Sequence, residues 1–483
     1  MKKNNLIILI AASILAVALT GCNPVSKSGE AKYVFYFIGD GMGFQHITAT
    51  QAFVAAQNDA KGNAPLSFTN FPITGVVETF AHNRFITGSA AAGTAMSTGH
   101  KTSINTIGLT HDHSDSLFSV AHFAKENGFK VGVATSVSID HATPAAFYAH
   151  QPSRNMYHEI SHDLISAGYN FYAGGGFRDP DGDNSDKPRG SIYSRGDSLG
   201  FLFTSDLQVD QNVLTQFKSV VYSPPVSASS STLKYKIDCS DEDVTLTQIT
   251  EMGIEVLNNP DGFLFMVEGG KIDWAAHDND AATVVNEIIS FSDAVAAALE
   301  FYNKYPNETL IIVTADHETG GMSVGVKDNK YESYINLLSN QKHSLEMLNI
   351  VIRDFKEQHN GRPTFNQVVD FLASNEVMKL DLSELSSKQH EKLKAAHQAS
   401  VAPQTDAQKQ SNRENYGSAE PIAMASMQIL NEMASIGWTT LSHTASHVPL
   451  YAIGANQELF SGQIDNTEIP RRIATAMGFS IDK

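Results

Sequence analysis

Cysteine is nearly absent: two in 483 residues, Cys22 close to the N-terminus and Cys239 far along the chain. No disulfide framework can organise a chain of this length from two thiols, so its stability has to come from burial and bound metals. Positive charge is also scarce. The sequence carries 34 Lys and Arg against 52 Asp and Glu, a formal charge of −18. A field of that sign repels polyphosphate backbones, which excludes nucleic acid as a specific partner and favours solubility. The N-terminal apolar run, residues 6–19, falls short of the length that spans a bilayer comfortably.

What the N-terminus does have is an export signal. Lys2 and Lys3 precede the apolar run, and Leu19-Thr20-Gly21-Cys22 closes it. That ending resembles a bacterial lipobox, which implies a signal peptide over 1–21, an acylated Cys22 and a polar tether over 22–31. The expected location is the bacterial cell envelope, on the periplasmic or outer face, with the membrane met only through the lipid on Cys22. Two of the 34 basic residues fall in 1–21, which leaves 32 against 52, or −20, on the mature chain. The remainder, 32–483, reads as one large domain. A mainly helical insertion is expected at about 331–433, with polar low-complexity sequence near 400–411.

Strands are expected where buried apolar runs stop at turn residues. Residues 33–38 stop at Gly39-Asp40-Gly41-Met42-Gly43, and 129–136 lead to His141-Ala142-Thr143-Pro144. Residues 263–267 end at Glu268-Gly269-Gly270, with Asp273 and His277 close behind, and 309–314 end at Asp316-His317. A strand over 448–453 follows His443. Helical periodicity between the third and fourth strands makes a βαβ unit, hence parallel pairing. The expected fold is α/β, three layers with a central, mostly parallel sheet. Such sheets bind ligands beyond the carboxyl ends of their strands, which is where Asp40, Thr143, Glu268 and Asp316-His317 fall. Residues 156–225, rich in Gly, Asp and Ser with several possible short strands, read as a long crossover covering the site.

Ser89 opens a run of small residues, Ala90 to Thr94, that suits a close-packed helix. A serine at a helix N-terminus sits among unpaired N–H groups that favour an anion, whether a phosphate or its own alkoxide. Taken alone, Ser89 could simply cap that helix.

In combination these motifs resemble the alkaline phosphatase family: Gly39-Asp40-Gly41-Met42-Gly43, Ser89-Ala90-Ala91 through Thr98-Gly99, Ala142-Thr143-Pro144-Ala145, Val267-Glu268-Gly269 through Asp273 and His277, Thr314-Ala315-Asp316-His317, and His443-Thr444. The resemblance implies hydrolysis of phosphate monoesters with Ser89 as nucleophile, two Zn2+ and one Mg2+. It assigns Asp273, His277 and His443 to one zinc. Asp40, Asp316 and His317 go to the second, which also touches Ser89, and Asp40, Thr143 and Glu268 to magnesium. Arg154 is the expected phosphate clamp, its planar fork matching two phosphate oxygens. Inorganic phosphate is the implied product inhibitor, and a homodimer the implied assembly.

Three positions depart from well-known relatives. Gly88 stands where many have Asp, so Arg154 is either positioned by other groups or left more mobile. His141 and Trp274, expected beside the magnesium site, stand where the best-known enterobacterial type has Asp and Lys. The rival readings are a phosphodiesterase or other hydrolase of the same superfamily, and a surface lipoprotein that binds phosphate without turning it over. The second leaves the complete ligand set and Ser89 unexplained.

Overall fold

The computed structural model describes residues 29–225, 231–403 and 405–482. The export signal and Cys22 lie outside the described residues. Ten strands form one sheet: Tyr33–Gly39 (β1), Ile73–Glu78 (β2), Lys130–Thr135 (β3), Phe171–Ala173 (β4), Phe201–Thr204 (β5), Ser219–Tyr222 (β6), Phe263–Gly269 (β7), Thr309–Thr314 (β8), Val448–Gly454 (β9) and Gly462–Asp465 (β10). Their spatial order is β10-β2-β9-β8-β1-β7-β3-β4-β6-β5. All neighbours run parallel except β9, which is antiparallel to both β8 and β2.

The central strands are covered on both faces, and this is why they lack polar alternation. Every residue of β1, β7 and β8 is buried. Alternate side chains of β1 point to opposite layers. Phe35 meets Phe301 and Phe37 meets Phe291, both on the long helix Ala281–Lys304, at ring separations of 5.6 and 5.8 Å. Tyr36 points the other way, with its hydroxyl toward the Met96 carbonyl of helix Ser89–Thr98 and its ring 5.9 Å from Phe147. Helix, sheet and helix thus make the three layers, and burying a ring such as Phe291 contributes roughly 1.5–3 kcal/mol.

Residues 156–225 do more than cover the site. They supply β4, β5 and β6, which extend the sheet by three parallel strands at one edge. Short strands buried by neighbours need no long apolar run, so their sequence resembles loop. The segment after Tyr331 carries helices Leu345–Gln358, Phe365–Leu372, Ser387–Val401, Asp406–Tyr416 and Pro421–Met433. Leu348, Ile352, Val368, Leu372, Leu393 and Leu430 give these helices a core of their own. The polar stretch near 400–411 is helical from Asp406, because Thr405 and Gln408 cap it reciprocally, although none of its residues is buried. The buried Asp280 carboxylate accepts from Gln341 and from the Leu345 N–H, tying this unit to the sheet domain.

Candidate active site

The carboxyl ends of β1, β3, β7 and β8 open on one edge of the sheet, and the reversed direction of β9 brings its amino end, preceded by His443, to the same edge. Ser89 is the first residue of helix Ser89–Thr98, and Gly88 occupies the cap position with φ −135° and ψ 164°. Ser89 therefore does not cap the helix. Its hydroxyl is buried and lies 3.3 Å from His317 Nε2. The small residues behind it serve close approach to another helix: a Cβ on Gly93 would lie 3.1 Å from Ala146 and 3.4 Å from Thr143 Cα. This packing sets Thr143 and Ser89 in one neighbourhood.

Helix Lys271–His277 carries Asp273 and His277 one turn apart, with His277 Nε2 3.4 Å from Asp273 Oδ1. His443 Nε2 is 3.6 Å from the same oxygen and 3.1 Å from His277 Nε2. Both rings are held by backbone carbonyls at Nδ1: His277 meets Leu441 at 2.7 Å and His443 meets Thr87 at 2.8 Å. A carbonyl can only accept, so each Nδ1 bears the proton and the two Nε2 lone pairs face one another beside a carboxylate. That arrangement is repulsive unless a cation sits among the three atoms, and carbonyl-oriented imidazole is how zinc ligands are presented.

A second group surrounds His317, whose Nε2 is 3.2 Å from Asp316 Oδ2 and 3.4 Å from Asp40 Oδ1. Asp316 Oδ1 accepts from the Gly41 and His317 amides, whereas Asp316 Oδ2 and Asp40 Oδ1 are buried and accept no hydrogen bond among the described residues. Asp40, His141 and Glu268 form a third group, with Thr143 Oγ1 donating to Asp40 Oδ2 at 3.3 Å and Glu268 Oε1 unbonded. Four carboxylates thus share a largely buried space in which Arg154 is the neighbouring permanent cation. Burial first, then Asp316, Asp273 and Glu268, pushes the Asp40 carboxyl well above its ordinary value. Burial likewise raises Glu268 to about 7 and, with Asp273, Asp316 to about 8. Burial and the neighbouring His443, His277 and Arg154 hold His317 well below the usual histidine range. Orphaned acceptor atoms, crowded carboxylates and neutral imidazoles are what a set of divalent cations would satisfy.

Arg154 donates from Nη2 to His141 Nε2 at 2.8 Å. A guanidinium is always protonated, so His141 is neutral here. Burial, Arg154 and Arg178 all lower its basicity. His141 is thus the group that positions Arg154 where Gly88 offers no side chain, and Trp274 meets the His141 ring edge to face at 5.9 Å. Two site residues were not legible as such. Thr135 donates to the Glu268 carboxylate, its partner in the β3–β7 register, and Thr319 Oγ1 donates to Asp273 Oδ1 at 2.6 Å. The sequence offers no spacing signal for either, since the first depends on strand register and the second on the two-residue strand Glu318–Thr319 that pairs with His443–Thr444. The His111-Asp112-His113 loop, metal-like in composition, takes no part in these groups: His113 meets Thr106 and the His111 ring lies tilted against His82.

A family model described as alkaline phosphatase matches residues 31–170 and 228–479. The chain belongs to the alkaline phosphatase family. Alkaline phosphatase 3 of Bacillus subtilis is 31% identical over 468 residues, covering 94% of this chain and 90% of the relative. The repressible alkaline phosphatase of Saccharomyces cerevisiae is 27% identical over 483 residues, covering 92% and 81%. Among solved structures, the cold-active alkaline phosphatase from a psychrophilic Shewanella superposes with a TM-score of 0.73 at 26% identity, covering 92% of this chain and 99% of that one. The Thermus thermophilus alkaline phosphatase gives a TM-score of 0.73 at 24% identity, covering 94% and 92%, and shares the fold. The α/β fold and a phosphatase enzyme are thereby shown.

The backbone of this alkaline phosphatase at Gly88 is extended, a conformation any residue adopts, and an added Cβ would meet His443 at 3.7–3.8 Å, ordinary contact. Gly88→Ala is therefore expected to keep metal content and to hold kcat within about threefold. Gly88→Asp sets a carboxylate beside His443 and should lower kcat further than Ala. Steady-state kinetics with metal analysis compares the two, and equal loss of metal in both would mean that the position requires glycine after all.

Proposed function

We propose that this chain hydrolyses phosphate monoesters to an alcohol and inorganic phosphate through a phosphoserine on Ser89. The observation that supports this most strongly is the Ser89 hydroxyl at a helix N-terminus, 3.3 Å from His317 Nε2, amid buried acceptor atoms that lack partners. Asp273, His277 and His443 would hold one Zn2+, and Asp40, Asp316 and His317 a second next to Ser89. Asp40, Thr143 and Glu268 would hold Mg2+, with His141 and Trp274 flanking it. When bound, these ions supply Lewis-acid stabilisation of the developing charge on the phosphoryl and leaving oxygens and favour an ionised nucleophile. The chain's own part is positional. Ser89 Oγ forms the bond to phosphorus as the ester oxygen departs from the opposite face, and water later replaces Ser89 at phosphorus. Arg154 holds two non-bridging oxygens, steadied by His141. The N–H groups that open helix Ser89–Thr98 face the same anion.

Assay of p-nitrophenyl phosphate against its bis-ester and p-nitrophenyl sulfate tests this reading. The monoester is expected to turn over at least about a hundredfold faster than either. Turnover of the diester at an equal rate would favour a phosphodiesterase and sink the proposal.

The proposal extends to location, on the strength of the sequence at residues 2–22. We infer an enzyme exported to the cell envelope and anchored by lipid on Cys22; membership of the family, not this segment, supports a homodimer inhibited by its product phosphate. Several acyl chains hold a protein firmly at a bilayer where a single chain does not. Cys22→Ala is expected to move activity from the membrane fraction to the soluble one. Wild-type enzyme found soluble, with its N-terminus beyond Cys22, would contradict the anchor.

A further inference from the structure

Residues 174–178 leave β4 and lie along the loop that follows β3. Gly175 N–H donates to the Val137 carbonyl at 2.9 Å, Ile139 N–H to Gly176 at 2.8 Å, and Arg178 N–H to the Asp140 carboxylate at 2.9 Å. Asp140 is fully buried and directly precedes His141, the residue that holds Arg154. The backbone of Arg178 is therefore fixed beside the phosphate clamp, on the active edge of the sheet. Its side chain is exposed and rests over the Tyr157 ring at 5.0 Å. Among the described residues no carboxylate pairs with this guanidinium.

A cavity of about 630 Å³ opens between the chain that follows Arg154 and the loop that follows Arg178. Asn155, Met156 and Tyr157 line one wall; Arg178, Asn184 and Lys187 line the other. That volume accommodates a small organic group. Two of the acids on its wall are turned to the protein: Glu159 accepts from the Ser185 hydroxyl at 2.6 Å, and Asp179 receives the Asn184 amide at 3.3 and 3.4 Å. Asp186 is the remaining acid, exposed on the loop next to Lys187. Arg178 and Lys187 both fall in 171–227, the internal stretch that the family model leaves unmatched, whereas Arg154 falls inside the match.

We infer that the cavity is a leaving-group subsite in which Arg178 binds a second anionic group, a phosphate or a carboxylate, on the alcohol part of the phosphate monoester. Arg154 then takes the phosphoryl group to be transferred and Arg178 the charge that stays on the product. A guanidinium suits this task because it is weakly hydrated, always charged and able to hold two oxygens at once. The inference rests on the phosphomonoesterase reading above.

Three substrates of matched length test it: propyl phosphate, propane-1,3-diyl bisphosphate and 3-carboxypropyl phosphate. The metal-loaded enzyme is expected to favour the two dianionic-tailed or carboxylate-tailed esters over propyl phosphate in kcat/KM, through KM, by about tenfold for the better of them. Arg178→Gln should erase that preference, and comparison of the two tails tells which anion the subsite takes. A wild-type enzyme with no preference, or a variant that slows all three equally, overturns the subsite; equal slowing would make Arg178 a positioning residue for His141 and Arg154. Competitive binding of propane-1,3-bisphosphonate against propylphosphonate repeats the comparison without turnover and, in wild type, without any variant. Binding that discriminates in an enzyme that hydrolyses none of the esters would sink the hydrolytic reading and leave the subsite standing. Hydrolysis without discrimination does the reverse.

Discussion

Ser89→Ala is expected to lower kcat by at least about a thousandfold while the metals stay bound. The substitution removes the hydroxyl and little else. Ser89 is the first helical residue and the cap position belongs to Gly88, so no capping bond is lost, and alanine favours a helix more than serine does. The side chains of Asp273, His277, His443, Asp40 and Asp316 are held by other elements, and His317 keeps its contacts with Asp40, Asp316 and Thr319. Steady-state kinetics and metal analysis on the same preparation check the two halves together. A variant within tenfold of wild type, metals intact, would exclude Ser89 as nucleophile.

Metal removal should have an effect as large on activity and a second one on stability. Chelation is expected to abolish turnover, with zinc and magnesium together restoring it. In the metal-free protein burial raises the carboxyl groups of Glu268 to about 7 and Asp316 to about 8, against unfolded values of about 4. A raised carboxyl keeps its proton in the folded chain after the unfolded chain has released it. The stability these groups permit is therefore present in full below about pH 4 and is lost as pH rises through 7 to 8. The lowered His317 and His443 act in the opposite sense, gaining stability as pH rises toward about 6.5, so the loss dominates above that value. Cations relieve the same repulsion. The gap in Tm between metal-loaded and metal-free protein is expected to widen from pH 6.5 to 8, and a gap that narrows over that range would show that the carboxylates are not the metal's partners.

Much of this site could be read from residue order. β1, β7 and β8 are buried on both faces, so they appear as unbroken apolar runs, and the acids that follow them stand out against that background. His443 precedes its strand because β9 runs against its neighbours, a reversal that only the sheet reveals. Short strands were expected within 156–225, but their positions and their place at the sheet edge were hidden, because strands of three or four residues carry too little pattern to distinguish them from turns. Thr135 matters through its register with Glu268, and His141 through its contact with Arg154. Neither relation has a sequence spacing of its own. Arg178 comes beside Asp140 by the same route, since β4 must first be laid beside β3.

The most direct measurement is acid-quench trapping of the enzyme with radiolabelled phosphate, followed by peptide mapping. The covalent account predicts stoichiometric label on the peptide that carries Ser89, present in wild type and absent in Ser89→Ala. Label on another residue, or an active and metal-loaded wild-type enzyme from which no phosphoserine can be trapped at any acid pH, would contradict it.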